Sequence, residues 1–115
     1  ILGESVYPIL EIVPLHDLYD FECKYTPGMT KYFCPAKLDD DVTNLIKEDT
    51  QLLFNKFGCN VYARVDYLID KKGTPYFLEL NTLPGMTSTS LLPKSLASIG
   101  ISFESLISKI VKLSL

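Results

Sequence analysis

The chain is poor in cysteine, and its cysteines are not spaced as metal ligands. There are three, an odd number, at Cys23, Cys34 and Cys59, with no C-x-x-C motif. This pattern is typical of reduced thiols in a cytosolic protein and disfavours a disulfide scaffold or a zinc site. Long apolar runs are also lacking: none approaches the ~20 residues of a membrane span, and no signal peptide is visible. We therefore expect a cytoplasmic protein that does not cross a membrane.

Positive charge is scarce and scattered. Eleven Lys and Arg residues face 14 Asp and Glu residues, which gives a formal net charge of −3 and no basic patch. A nucleic-acid partner is therefore not expected. The one histidine, His16, follows a predicted strand, where a histidine is more often structural or exposed than catalytic.

What the sequence does contain is typical of a single globular domain. Of its 115 residues, 47% are apolar and 22% are charged, and a chain of this length buries a modest core. The chain begins at Ile1, without a methionine, inside what looks like a strand. We therefore expect a fragment of a longer protein.

The residue pattern predicts an α+β fold, with helices packed on one antiparallel sheet. The first strand is expected at 5–14, where Pro8 favours an edge position or a bulge, and it is expected to pair with a later β-hairpin. Residues 16–38 show no sustained period, but their aromatic residues favour a packed lid. The predicted helices are 39–57, 91–99 and 103–113.

Capping signals support these helices. Residues 39–41, all aspartates, suit a capped first turn better than a metal cluster, and Ser90 and Ser102 are the expected caps of the later helices. The first helix is expected to bury its apolar stripe beneath the sheet: Val42, Leu45, Ile46, Leu52, Leu53 and Phe57. The last helix is expected to turn its own stripe to the core: Phe103, Leu106, Ile107, Ile110 and Val111.

The predicted hairpin is the most informative stretch. Two runs rich in β-branched and aromatic residues flank KKGT, whose glycine suits a turn. Pairing Lys71 with Thr74 leaves residues 72–73 as the tip. A four-residue loop closed by Asp70 and Pro75 gives the same register.

In this register four polar side chains project from one face, with Asp66 opposite Glu79 and Arg64 opposite Asn81. Opposed residues have Cβ atoms roughly 4.5–5.5 Å apart, so the two carboxylates repel unless one is protonated or a cation joins them. An all-oxygen set of Asp, Glu and Asn suits a hard ion such as Mg²⁺ or Mn²⁺. The alternative is an ordinary ion pair of Arg64 with either carboxylate. Apolar neighbours on both strands favour the metal site, because carboxylates among apolar residues lose hydration and need a compensating partner.

Three segments together resemble the D-alanine–D-alanine ligase family. They are CKYTPGMTKYFCPA at 23–36, RVD at 64–66 and ELNTLPGMTSTSLLP at 79–93. The likeness runs along the whole chain but covers only the C-terminal portion of such an enzyme. It implies that residues 1–115 are the C-terminal part of an ATP-grasp domain, without the N-terminal domain or the first ATP-grasp lobe.

The resemblance also assigns roles by matched position. Asp66, Glu79 and Asn81 would hold two Mg²⁺ or Mn²⁺ ions, and in the lid Lys24 would contact the ATP phosphates while Tyr25 would help to seal the substrate site. The remaining roles are Arg64 and the N–H of Gly85 at the oxyanion, Ser90 and the N–H of Leu91 on the carboxylate of the second substrate, and Leu68 and Leu78 beside the adenine. From the residues alone, Lys24 and Tyr25 are better explained as a solvated lysine and a half-buried tyrosine. Residues 87–90 are then simply a polar loop with a helix cap.

The implied activity is ATP- and Mg-dependent ligation of two D-alanines to D-alanyl-D-alanine through an acyl phosphate, for peptidoglycan precursors. The parent enzyme would be a homodimer, and the fragment alone would be inactive or nearly so. Two alternatives stay open. One is a relative that uses another nucleophile, such as D-lactate. The other is a non-enzymatic α+β interaction module in which Arg64, Asp66 and Glu79 form a surface ion network.

Overall fold

The computed structural model describes residues 1–14 and 30–115. Two antiparallel strand pairs and three helices make up these residues, which confirms the predicted α+β class. The strands are β1 (Glu11–Pro14), β2 (Thr30–Phe33), β3 (Arg64–Ile69) and β4 (Pro75–Asn81), and the helices are α1 (Asp40–Lys56), α2 (Leu91–Ala97) and α3 (Phe103–Ser114). None of the helices in the described ranges is both long and apolar enough to span a membrane.

The strands form two antiparallel pairs, β1 with β2 and β3 with β4. The predicted pairing of the first strand with the hairpin is therefore wrong for β1, whose Glu11 pairs with Phe33. Strand β2 lies in the segment for which no regular structure was predicted, because a four-residue run is too short to show a period. The chain start takes the place beside the hairpin: Leu2 bridges Tyr62, and the Gly3 amide donates to the Val61 carbonyl at 2.8 Å.

Helix α1 packs behind the hairpin through a narrower stripe than predicted. Ile46, Thr50 and Phe54 are its buried residues, and their spacing of four places them on one line along the helix. The predicted Leu52 and Phe57 are instead 54% and 63% exposed, as is Leu45 at 45%. Thr50 was not among the predicted core residues because it is polar.

The buried residues form two clusters, one between the first helix and the hairpin and one around the two C-terminal helices. Phe54 of α1 packs with Ile1 and Ala63, and the partly buried Leu80 of β4 joins this cluster. The second cluster joins the chain start to α2 and α3 and consists of Leu2, Leu92, Leu96 and Leu106. The back of the hairpin and both later helices are thereby fixed to one scaffold.

The two C-terminal helices largely follow the prediction. Helix α2 ends at Ala97, two residues before the predicted end, and Gly100 adopts a φ of +81°, which favours glycine. Ser102 caps α3 as predicted, since its hydroxyl accepts a hydrogen bond from the Ser105 amide at 3.1 Å. Val111, predicted to face the core, is 52% exposed.

Candidate functional site

The β3–β4 hairpin brings the predicted polar face together. Asp66 pairs with Glu79 and Arg64 pairs with Asn81, so the predicted register at the site is confirmed. Opposed residues of an antiparallel pair project from the same face, and residues two apart on a strand share that face. All four side chains therefore belong to one side of the hairpin.

The tip of the hairpin differs from the prediction by one residue. Ile69, rather than Asp70, pairs with Pro75, so the loop has five residues. The Asp70 side chain organises this loop, because its Oδ1 accepts hydrogen bonds from the amides of Lys72 at 2.9 Å and Thr74 at 2.8 Å. A carboxylate that caps its own turn in this way stabilises a loop longer than the two-residue type.

A β-bulge restores the register between the tip and the site. Tyr67 pairs with Phe77 while the neighbouring Asp66 pairs with Glu79, which leaves Leu78 as the extra residue of β4. Without the bulge, the observed tip pairing would place Leu78 opposite Asp66. The bulge therefore sets the two carboxylates opposite each other.

Arg64 joins these two carboxylates. Its Nε donates to Asp66 Oδ1 at 2.8 Å and its Nη2 donates to Asp66 Oδ2 at 3.0 Å, a fork-like pairing. The same Nη2 reaches Glu79 Oε1 at 3.3 Å. Burial acts to lower the pKa of Arg64, but the hydrogen bonds and charges of Asp66 and Glu79 outweigh it and raise that pKa. The guanidinium therefore remains protonated and lies between two acidic side chains.

Asn81 shares this face by register, but its side chain has a local partner. Its Oδ1 accepts a hydrogen bond from the amide of Leu83, two residues later, at 2.9 Å. A hydrogen bond of this kind closes a turn through the side chain. This contact ends β4 and turns the chain into the loop that leads to α2.

The residues of this face fit a hard divalent cation by their chemistry. In the described part of the chain, no group of three or more His, Cys, Asp and Glu side chains is placed to hold a metal. The candidate set is instead two carboxylates and one amide oxygen, the donors that Mg²⁺ and Mn²⁺ prefer. Asp66 and Glu79 both form ion pairs with the Arg64 guanidinium, which shows that these two carboxylates attract positive charge.

Leu68 and Tyr76 continue the same face toward the tip, and the bulge residue Leu78 lies next to Glu79 in the chain. Leu68 follows Asp66 by two residues and pairs with Tyr76, and Leu78 is the bulge residue. All three apolar or aromatic side chains are exposed, Leu68 by 61%, Tyr76 by 56% and Leu78 by 58%. The two leucines predicted beside an adenine therefore lie next to the acidic pair and open to solvent, and Tyr76 is a neighbour that the sequence alone did not single out.

The loop before α2 is closed by its own hydroxyl groups. Ser90 is the N-cap residue of α2, as predicted, but it makes no side-chain capping bond. Its Oγ instead accepts from the Thr87 amide at 3.0 Å and lies 2.8 Å from Thr87 Oγ1. A Cβ at Gly85 would come within 3.2 Å of the same Ser90 Oγ, so glycine allows this close approach. Gly85, Ser90 and Leu91 are thus adjacent at the start of α2.

The predicted lid residues Lys24 and Tyr25 lie outside the described residues, as do His16 and Cys23. Strand β2, near the end of the predicted lid segment, lies beside α2, with the Lys94 ammonium 4.8 Å from the centre of the Tyr32 ring. Lys94 is one helical turn after Ser90. The end of the predicted lid segment is therefore next to the helix that starts at the hydroxyl-rich loop.

A support on the opposite face of the hairpin was not predicted. The Tyr67 hydroxyl lies 3.1 Å from Thr50 Oγ1 on α1, and its ring contacts Phe77 edge-on at 6.3 Å between centroids. Burial is the main reason that the pKa of Tyr67 is raised, with Asp49 adding to it and the Thr50 hydrogen bond opposing it. A polar residue in an apolar helix stripe is the sequence signal for such a contact.

The fold and the site together define a class of protein. An acidic β-hairpin, a hydroxyl-rich turn and two closing helices on an α+β scaffold form the C-terminal part of an ATP-grasp fold. A family model described as "D-ala D-ala ligase C-terminus" matches residues 1–112. The chain belongs to this family.

Curated relatives support this assignment. A D-alanine–D-alanine ligase of Methylacidiphilum infernorum is 43% identical over 114 residues, which is 99% of this chain and 38% of that protein. One of Anaeromyxobacter sp. (strain K) is 46% identical over 111 residues, 96% of this chain and 36% of that protein. The chain therefore spans a little over a third of the length of these relatives.

Two solved structures are similar along 99% of the chain. A crystal structure of D-alanine–D-alanine ligase from Bacillus anthracis complexed with ATP superimposes with a TM-score of 0.80 at 32% identity, with 35% of that chain covered. The VanG D-Ala:D-Ser ligase from Enterococcus faecalis superimposes with a TM-score of 0.74 at 29% identity, with 34% covered. The two neighbours differ in the second amino acid that their names give.

Proposed function

We propose that this chain is the C-terminal part of an ATP-dependent D-alanine–D-alanine ligase. The whole enzyme would join two D-alanines to D-alanyl-D-alanine for peptidoglycan precursors, releasing ADP and phosphate in the cytoplasm. The observation that carries this proposal is the opposed pair Asp66 and Glu79 beside Arg64, in a chain of this ligase family. A solvent-accessible acidic pair of this kind, with Asp66 partly buried and Glu79 exposed, is suited to bind a nucleotide through a metal ion.

Asp66, Glu79 and Asn81 would hold Mg²⁺ or Mn²⁺, with Glu79 the best candidate to bind two ions. When bound, such ions offset the charge of the phosphate oxygens in phosphoryl transfer. For Asn81, metal binding would compete with the Leu83 amide for its Oδ1, although that oxygen has two lone pairs. The B. anthracis neighbour is a complex with ATP, which supports ATP as the nucleotide here.

The exposed leucines would receive the rest of the nucleotide. Leu68 continues the acidic face, Leu78 is the bulge residue before Glu79, and both are more than half exposed. Covering them with an adenine ring would therefore remove apolar surface from water. Lys24 would contact the phosphates from the lid, and Tyr25 would help to exclude water from the substrates.

Arg64 and the Gly85 amide would stabilise the oxyanion that forms when the second D-alanine attacks the acyl phosphate. A preorganised donor of this kind is typically worth ~3 kcal/mol. Ser90 and the Leu91 amide would bind the carboxylate of that second D-alanine. The Thr87 amide donates to Ser90 Oγ, which also lies 2.8 Å from Thr87 Oγ1. If Thr87 Oγ1 is the donor in that contact, the Ser90 hydroxyl proton can go to a carboxylate.

Ligation would require more residues than this chain contains. The first D-alanine and the other side of the nucleotide would be bound by parts of the enzyme that the relatives have in addition. We therefore expect the 115-residue chain alone to be inactive or nearly so, and the whole enzyme to act as a homodimer.

A second candidate differs only in the nucleophile. The likeness to a D-Ala:D-Ser ligase favours a relative that joins D-alanine to D-serine, and D-lactate is a further alternative. To separate them, the full-length protein that contains this chain is incubated with Mg²⁺, ATP and an equal mixture of D-alanine, D-serine and D-lactate. Mass spectrometry then identifies the product. D-alanyl-D-alanine as the main product supports the first proposal, a mixed product supports the second, and no D-alanine-containing product contradicts both.

A further inference from the structure

Two carboxylates that face each other across a hairpin need a positive charge, and Arg64 supplies it here. Among the residues that the structure describes, its side chain makes three hydrogen bonds, all to Asp66 and Glu79. The Arg64 and Asp66 side chains are 26% and 29% exposed, whereas Glu79 is 56% exposed. The guanidinium is therefore partly sheltered at Asp66 and reaches outward to Glu79.

These bonds occupy oxygen atoms that a divalent cation would use. Arg64 engages both oxygens of Asp66 and one of Glu79. A guanidinium and a divalent cation on the same carboxylates also repel each other, since both are positive and only a few ångströms of partly buried space separate them. Binding of the metal is thus opposed by the contact that holds the site together without it.

We propose that Arg64 is an exchangeable cation: it holds Asp66 and Glu79 together in the metal-free protein and leaves Asp66 when a divalent cation binds. This inference rests on the proposed function for the identity of the metal and of the substrates. The released guanidinium is then free to turn to the substrate oxyanion. Metal loading would thereby position Arg64 for catalysis, and the arginine would be withheld from substrate until the metal is bound.

Arg64 is the only arginine of the chain, which makes its movement directly observable. In the 115-residue chain labelled with ¹⁵N, one side-chain Nε–H signal is expected, shifted and slow to exchange because it is bonded to Asp66. Addition of Mg²⁺ alone should move this signal to the position of a solvated arginine. The signal is measured on the unmodified chain, so no variant has to fold. An Nε–H signal that is unchanged at saturating Mg²⁺ would overturn the proposal.

A metal titration tests the same exchange from the other side. Mn²⁺ alone is titrated, with free Mn²⁺ followed by electron paramagnetic resonance, into the unmodified chain and the Arg64→Gln variant. Removing the competing cation should tighten Mn²⁺ binding about tenfold or more. Lys71→Gln removes one positive charge from the same hairpin near its tip, and its affinity should stay within about twofold of the unmodified chain.

The remaining outcomes are equally decisive. Equal or weaker Mn²⁺ binding by Arg64→Gln, or the same gain in Lys71→Gln, contradicts the exchange, and so does the absence of Mn²⁺ binding in both proteins. Circular dichroism of the variants checks that they fold. The ligase proposal fails separately, through the product assay of the full-length protein. Exchange of Arg64 without ligation would keep the metal site and reject the ligase reaction.

Discussion

The hydrogen bond between Tyr67 and Thr50 should help to hold the hairpin on α1, and its removal has a calculable effect. Tyr67→Phe removes a bond of 3.1 Å and leaves the Thr50 hydroxyl, on a residue that is 5% exposed, without this partner. Leaving a buried hydroxyl unpaired costs about 1–3 kcal/mol. Because Phe retains the ring and its edge-on contact with Phe77, we expect a loss near the lower end, about 1.5 kcal/mol.

A double-mutant cycle gives the sharper result. Thr50→Val should cost less than Tyr67→Phe, about 1 kcal/mol, because water can reach the more exposed tyrosine hydroxyl. In the double variant neither hydroxyl is left unpaired, so its loss should be smaller than the sum of the single losses by about 1 kcal/mol. Urea denaturation of the four proteins, followed by circular dichroism, measures these differences. A double-variant loss equal to the sum would refute the hydrogen bond as the connection.

Three further predictions concern the core, the loop and alkaline pH. Leu106→Ala, at a fully buried position of α3, should lower the free energy of unfolding by about 3 kcal/mol, whereas Val111→Ala on the same helix, 52% exposed, should cost under about 1 kcal/mol in urea denaturation. Gly85→Ala should leave the urea midpoint nearly unchanged but raise the KM for the second D-alanine several-fold in the full-length enzyme. The added Cβ would come within 3.2 Å of Ser90 Oγ, and an unchanged KM would contradict the role of this loop. Burial raises the pKa of folded Tyr67 above its ordinary value of 10.0, so as the pH rises the unfolded chain loses this proton before the folded chain does. The free energy of unfolding is therefore unaffected by Tyr67 below about pH 10 and falls as the pH rises further. The free energy of unfolding, compared with its value at pH 8, should therefore fall less between pH 9 and 11 in Tyr67→Phe than in the unmodified chain.

The sequence was sufficient to locate the acidic face but not to explain its register. A hairpin with the predicted tip pairs Asp66 with Glu79 directly. In the structure the tip is shifted by one residue and the bulge at Leu78 compensates, so two differences cancel at the site. The sequence does not mark the bulge, because Tyr76, Phe77 and Leu78 form an unbroken apolar run in which no residue stands out as the extra one.

Strand partners and polar contacts in the core could not be predicted from the sequence. Periodicity shows that a run is extended but carries no information on which strand lies beside it, and so β2 was missed as the partner of β1. Thr50 was missed because its burial depends on a hydroxyl of β3. A polar residue in the apolar stripe of a helix indicates such a contact but does not identify the partner. The helix caps, in contrast, depend on neighbouring residues, and the N-cap positions of Ser90 and Ser102 were found.

The central claim is that Glu79 binds the metal–nucleotide complex of a D-alanine ligase. It is tested by D-alanine-dependent phosphate release from Mg²⁺ and ATP, in the full-length protein and its Glu79→Gln variant. Glu104→Gln, at an exposed position in the first turn of α3, is the matched control. Loss of turnover in Glu79→Gln alone, with thermal unfolding unchanged in both variants, is the predicted result. Equal turnover in all three proteins would contradict the claim and leave Arg64, Asp66 and Glu79 as a surface ion network.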